Sequence, residues 1–152
     1  MLSSPSPQIL LLEKDYTNRV LFAEYLEQCG YDVFQLEDER QVFESLESYQ
    51  PDVLVLNLKM PAIDGFTIIE QVRAHMSWRA LPILVLTGYT LSKYQRRAYR
   101  LGANIYLTKP VAPNVLSSSI DLLVTRPPVE DRTVSLAKKR YLSKQSLPAS
   151  IA

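Results

Sequence analysis

Apolar and polar positions follow one another along this chain in two rhythms. Unbroken apolar runs stand at Ile9-Leu10-Leu11-Leu12, Val53-Leu54-Val55-Leu56, Ile83-Leu84-Val85-Leu86 and Ile105-Tyr106-Leu107, with a weaker, partly alternating run at Tyr31-Asp32-Val33-Phe34. Short runs of this kind suit strands buried on both faces, as in a parallel sheet. Between them lie segments with helical spacing. Val20, Ala23, Leu26 and Cys29 form one stripe, with Gly30 as its stop. Val42, Phe43, Leu46 and Tyr49 form a second before Pro51, and Phe66, Ile68, Ile69, Val72 and Met76 a third. Tyr94, Ala98 and Leu101 form a fourth, ending at Gly102, and Val115, Ile120 and Leu123 a fifth, with Pro113 near its first turn.

Strand and helix therefore alternate five times. Right-handed crossovers place helices on both faces of such a sheet. The pattern predicts an α/β fold, a flavodoxin-like doubly wound five-stranded parallel sheet of order 2-1-3-4-5 with five helices. The predicted domain spans residues 8–125. After Thr125, Arg126-Pro127-Pro128 ends the last helix, and residues 126–152 are expected to form a flexible basic tail.

Composition narrows the function. With 152 residues, 47% of them hydrophobic, the chain suits a single core. Cys29 is the one cysteine and His75 the one histidine, which removes disulfide frameworks, cysteine or multi-histidine metal sites and Ser-His triads with a histidine to spare. No apolar run approaches the roughly 20 residues of a membrane span, and Met1 to Gln8 lacks signal-peptide order, so a cytoplasmic location is expected. Residues 1–125 carry 11 basic and 14 acidic side chains, whereas residues 126–152 carry 6 and 2. A mildly acidic body argues against nucleic acid as a partner for the domain itself.

In an open parallel sheet, ligands meet the carboxyl ends of the strands. The polar residues that follow the apolar runs are Glu13, Lys14 and Asp15, then Asn57 with Lys59, then Thr87 with Gly88, then Thr108, Lys109 and Pro110. No glycine-rich phosphate loop follows the first strand, so no dinucleotide site is expected there.

These residues carry a resemblance. Glu13-Lys14-Asp15, the stretch Pro51 to Pro61 with Asp64-Gly65, Leu86-Thr87-Gly88, and Gly102-Ala103 followed by Tyr106-Leu107-Thr108-Lys109-Pro110 fall at successive strand ends. Together they are similar to the receiver domain of bacterial two-component response regulators, over about residues 8–125. The resemblance implies a phosphoryl acceptor at Asn57, where the family has aspartate. It implies a magnesium pocket at Glu13 and Lys14, where the family has two acids, with the backbone carbonyl of Lys59 as a further ligand. It implies phosphoryl contacts from Thr87, a lysine pairing with the acceptor at Lys109, and a switch aromatic at Tyr106.

Two departures change the expected chemistry. An amide oxygen at Asn57 is a poor nucleophile and forms no stable acyl phosphate. Lys14 sets an ammonium where magnesium needs a hard oxygen ligand. An ammonium ~4 Å from even a monovalent cation opposes it by about 4 kcal/mol at an effective dielectric of about 20. The expectation is a degenerate pocket with no catalytic residue, no cofactor and lost or very weak magnesium binding. Lys14 is expected to pair with Glu13 or Asp15, and Asn57 to accept a hydrogen bond from Lys109.

The chain thus reads as an atypical receiver, or pseudo-receiver. It would not be an enzyme but a phosphorylation-independent interaction module for a histidine kinase, a response regulator or an output protein. The fourth helix offers a basic face of Lys93, Arg96, Arg97 and Arg100. The resemblance implies that this helix, the last strand and the last helix form the docking and homodimer surface. Two alternatives stand beside this reading. One is a phosphorylatable regulator using another carboxylate, Asp15 or Asp64. The other is a nucleic-acid-associated regulator using the fourth helix and the Lys138-Lys139-Arg140 tail.

Overall fold

The computed structural model describes residues 5–125. The tail expected over 126–152 lies outside the described residues. The elements run β1 (Gln8–Leu12), α1 (Tyr16–Gln28), β2 (Asp32–Leu36), a 3-10 turn (Glu39–Gln41), α2 (Val42–Tyr49), β3 (Val53–Leu56), α3 (Gly65–Ala74), β4 (Ile83–Thr87), α4 (Ser92–Leu101), β5 (Ile105–Thr108) and α5 (Pro113–Thr125). The strands form one parallel sheet of order β2-β1-β3-β4-β5, as the pattern predicts.

The central strands are buried at every position of β3 and β4, because helices cover both faces. Alternate side chains feed two cores. Leu10, Leu12, Leu54, Leu56, Ile83 and Val85 pack with α2, α3 and α4, while Ile9, Leu11, Val53, Val55, Leu84 and Leu86 pack with α1 and α5.

Four details differ from the sequence expectation. On α1 the buried face is Arg19, Phe22, Ala23 and Leu26, and Cys29 is exposed. A strict three-residue step falls behind the 3.6-residue turn by about 60° each time, so Val20 and Cys29 sit on opposite sides of the helix. α3 stops at Ala74, and His75 turns extended, which leaves Met76 outside the stripe and 75% exposed. On α5 the inward residue is Leu116, with Val115 outward at 42% exposure. The second strand runs to Leu36 rather than ending at Phe34.

Two features tie helices to the sheet's carboxyl edge. Asp15 caps α1, its Oδ2 accepting from the Asn18 N–H at 2.8 Å, and Asp64 caps α3, its Oδ1 accepting from the Thr67 N–H at 2.9 Å. Gly65 lets α3 begin directly against the third strand: a Cβ there would collide with the carbonyl oxygen of Asn57 and lie 2.7 Å from Leu58 Cα.

Candidate functional site

The carboxyl ends of β1, β3, β4 and β5 bring Glu13, Asn57, Thr87 and Lys109 to one edge, with Lys14 at its border. Glu13 is 3% exposed, a carboxylate sunk at the end of β1. Such a group needs partners for both oxygens. Lys109 Nζ donates to its Oε1 at 2.6 Å, and the Asp15 N–H donates to its Oε2 at 2.9 Å. The expected hydrogen bond from Lys109 to Asn57 is not formed; the full charge of Glu13 is the stronger acceptor for an ammonium. Asn57 instead turns its Oδ1 back to accept from the Leu58 N–H at 2.7 Å.

Lys14 also departs from expectation. Its ammonium turns away from Glu13 and Asp15, which already have donors, toward the loop after β2. There it donates to Glu39 Oε1 at 3.0 Å and to the Glu37 carbonyl at 3.3 Å. Glu39 is 1% exposed, and its second oxygen accepts from the Ala62 N–H at 2.6 Å. Burial pushes the Glu39 carboxyl up, but the Ala62 hydrogen bond and the Lys14 ammonium outweigh it and hold the group below the usual glutamate range. One carboxylate thereby ties the loops after β1, β2 and β3 together.

Glu39 escapes a reading of the sequence, because nothing in the spacing of a loop residue foretells burial. Arg19 is different. Residues 19, 22, 23 and 26 are a helical i, i+3, i+4, i+7 set, which marks an arginine on the inner face. It is 6% exposed, and its Nη1 donates to the Glu13 carbonyl at 2.9 Å, bracing the turn that carries Glu13 and Lys14.

The remaining predicted residues separate into two groups. Thr87 is fully buried, with Oγ1 accepting from the Tyr89 N–H at 3.2 Å. Tyr106 is 7% exposed; its hydroxyl donates to the Tyr89 carbonyl at 2.8 Å, and its N–H donates to the Tyr99 hydroxyl oxygen at 3.1 Å. Burial first, then the neighbouring Tyr89, raises the Tyr106 phenol. Lys59 is exposed, its side chain outside the hydrogen bonds that join the edge. Lys93, Arg96, Arg97 and Arg100 are all exposed on α4, apart from the edge; Arg97 lies over the Phe66 ring at 4.1 Å, and Arg96 donates to Ser92 Oγ at 3.2 Å.

Known proteins bear out the resemblance. Residues 9–121 match the response regulator receiver domain family. This chain is a member of that family. It is 33% identical over 119 residues to the transcriptional regulatory protein RprY of Bacteroides fragilis, covering 78% of this chain and 50% of that protein. It is 32% identical over 120 residues to the transcriptional regulatory protein PdtaR of Mycobacterium tuberculosis, covering 78% and 57%. The chain spans about half the length of these curated relatives. Among solved structures, the activated N-terminal receiver domain of Klebsiella pneumoniae RstA matches with a TM-score of 0.73 and 26% identity, covering 78% of this chain and 99% of that one. Vibrio cholerae CheY4 matches with a TM-score of 0.73 over 78% and 98% of the two chains, and at 24% identity it supports the fold. Receiver domains are signalling modules of two-component systems rather than typical enzymes. They engage histidine kinases and output domains, and in their canonical form they bind magnesium. No helix among the described residues is long and apolar enough to cross a membrane.

Proposed function

We propose that this receiver works without being phosphorylated, as a protein-interaction module whose surface a histidine kinase, a second regulator or an output protein recognises. The unit of that function is residues 8–125, with 126–152 as a basic tail. The observation that carries the reading is the closure of the strand-end pocket by two ion pairs, Glu13–Lys109 at 2.6 Å and Glu39–Lys14 at 3.0 Å. Two carboxylates meet two ammonium groups, and the acceptor position holds a neutral amide.

The donor set does not fit magnesium. Both Glu13 oxygens are engaged, position 14 presents an ammonium, and the Asn57 oxygen is turned to its own neighbour's N–H. The substitute acceptors are also committed, because Asp15 and Asp64 are helix caps. The same pocket charge that magnesium would balance is balanced from within. Tyr106, pinned inward, then needs no phosphoryl group to hold it.

The test is intact mass after incubation with acetyl phosphate or phosphoramidate and magnesium. The expected result is an unchanged mass. A gain of one phosphoryl group overturns the reading and restores the phosphorylatable alternative.

A further inference from the structure

Charge is sorted along the sheet. Residues 13–52 carry 11 acidic and 3 basic side chains, and residues 53–125 carry 3 acidic and 8 basic. The strand order places the first set at the β2 edge and the second toward the β5 edge. At the acidic end, Glu24 and Glu27 on α1, Asp32 on β2, and Glu44 and Glu47 on α2 are exposed. At the basic end, Lys93, Arg96, Arg97 and Arg100 project from α4. None of these nine side chains belongs to an ion pair among the described residues, where Lys14, Arg19, Arg40 and Lys109 pair with Glu39, Glu37, Asp38 and Glu13. Each end also offers exposed apolar area, Leu91 at 57% and Tyr99 at 43% on the basic side, Leu21 at 58% and Phe34 at 38% on the acidic side.

We propose that copies of this chain associate head to tail, the cationic α4 face of one seated on the acidic α1–β2–α2 edge of the next. Charge complementarity selects this contact over the two-fold one. A two-fold contact centred on α4 uses the same patch twice and sets four cations against four. A head-to-tail contact brings together two unlike patches whose charges form no ion pair among the described residues. Exposed pairs are worth little singly, so the contact is salt-sensitive: charge steers it, and Tyr99 and Leu91 supply its apolar centre. Unlike a two-fold dimer, it does not close after two copies.

The α4 half of this proposal rests on the reading of that face as the docking surface, but not on the state of Asn57. Phosphoryl uptake would overturn the proposed function and leave the junction standing, while a monomeric protein would do the reverse.

The experiment is sedimentation velocity on the full chain across a concentration series, at about 20 mM salt and at about 0.5 M, where exposed charges are screened. The wild type is expected to form a concentration-dependent ladder at low salt and to run as monomer at high salt. Two neutralised variants, Arg96→Gln/Arg97→Gln/Arg100→Gln and Glu24→Gln/Glu27→Gln/Glu44→Gln/Glu47→Gln, are each expected to be monomeric alone. Mixed in equal amounts they leave one intact junction, so a dimer and nothing larger is expected. A wild type that stays monomeric at low salt, as it would if its own basic tail covered the acidic edge, overturns the proposal. So does a neutralised variant that still assembles alone, or a mixture that stays monomeric.

Discussion

At position 57 a neutral amide stands where a carboxylate would have to form an acyl phosphate, and position 14 carries an ammonium, turned to Glu39 at the border of the edge. Glu39 holds the position-14 ammonium in place. Asn57→Asp alone adds a carboxylate but leaves the Lys14 ammonium in place, so magnesium-dependent phosphorylation is expected to stay absent. Asn57→Asp with Lys14→Asp removes that cation and sets new carboxylates beside Glu13 and Glu39, which repel until a divalent ion joins them. Thermal melts should therefore separate the two proteins. The double variant gains several degrees on addition of about 10 mM magnesium, at roughly 2–4 °C per kcal/mol for a chain this size, and the wild type gains none. Efficient labelling of the single variant would sink the role given to Lys14. Glu39 makes its own prediction. Its carboxyl is held below the ordinary value of 4.5, so its share of stability is present above that pH and is lost as pH falls below it. Glu39→Gln should cost about 1–3 kcal/mol in urea unfolding at neutral pH, since it removes a hydrogen bond to a charged group. It should also flatten the loss of stability below pH 4.5. Part of the acid slope should remain, because the Arg40 side chain's hydrogen bond holds Asp38 at about 2.

The elements divide into those the sequence spells out and those it blurs. β1, β3 and β4 are legible because a strand covered on both faces is simply apolar throughout. β2 sits at the sheet edge, carries exposed Asp32, Phe34 and Gln35, and so shows its bounds poorly. The helices are legible as helices, but their inner faces are not always, since a three-residue step and a 3.6-residue step agree for only one turn. The site shows the same division. Glu13, Asn57, Thr87 and Lys109 follow directly from strand ends, which the apolar runs locate. The partner of Lys14 does not, because it lies 25 residues further on in a loop whose approach to β1 is fixed by tertiary packing. α4 supplies the prediction at this scale. Lys93–Arg97 and Arg96–Arg100 are like charges four apart, and Lys93–Arg96 and Arg97–Arg100 are three apart. Such neighbours each cost a helix a few tenths of a kcal/mol. Arg96→Gln/Arg100→Gln breaks three of these pairs and spares the Arg97–Phe66 contact. It should raise stability by about 0.5–1 kcal/mol in urea unfolding. Destabilisation would mean that these arginines hold the fold together rather than face a partner.

Across the whole molecule, the charge partition is invisible in a formal net charge of +1 and becomes visible only when the strand order is known. Runs of acids and bases that look mixed along the chain are laid out at opposite edges by the topology. The cost of this layout is repulsion within each edge, and salt acts on that repulsion and on the attraction between copies with opposite sign. At a concentration low enough to keep the protein monomeric, raising salt from about 20 mM to about 0.5 M should screen the crowding at α4 and at the acidic edge and raise the melting temperature. At high concentration the same salt step should dissolve the head-to-tail contact and withdraw the stabilisation that association lends the folded state. The salt dependence of the melting temperature should therefore fall, or change sign, as protein concentration rises. The Arg96→Gln/Arg97→Gln/Arg100→Gln variant should show a weaker salt effect at low concentration and none of the concentration dependence. A wild-type salt response identical at every concentration would show that the two edges never meet.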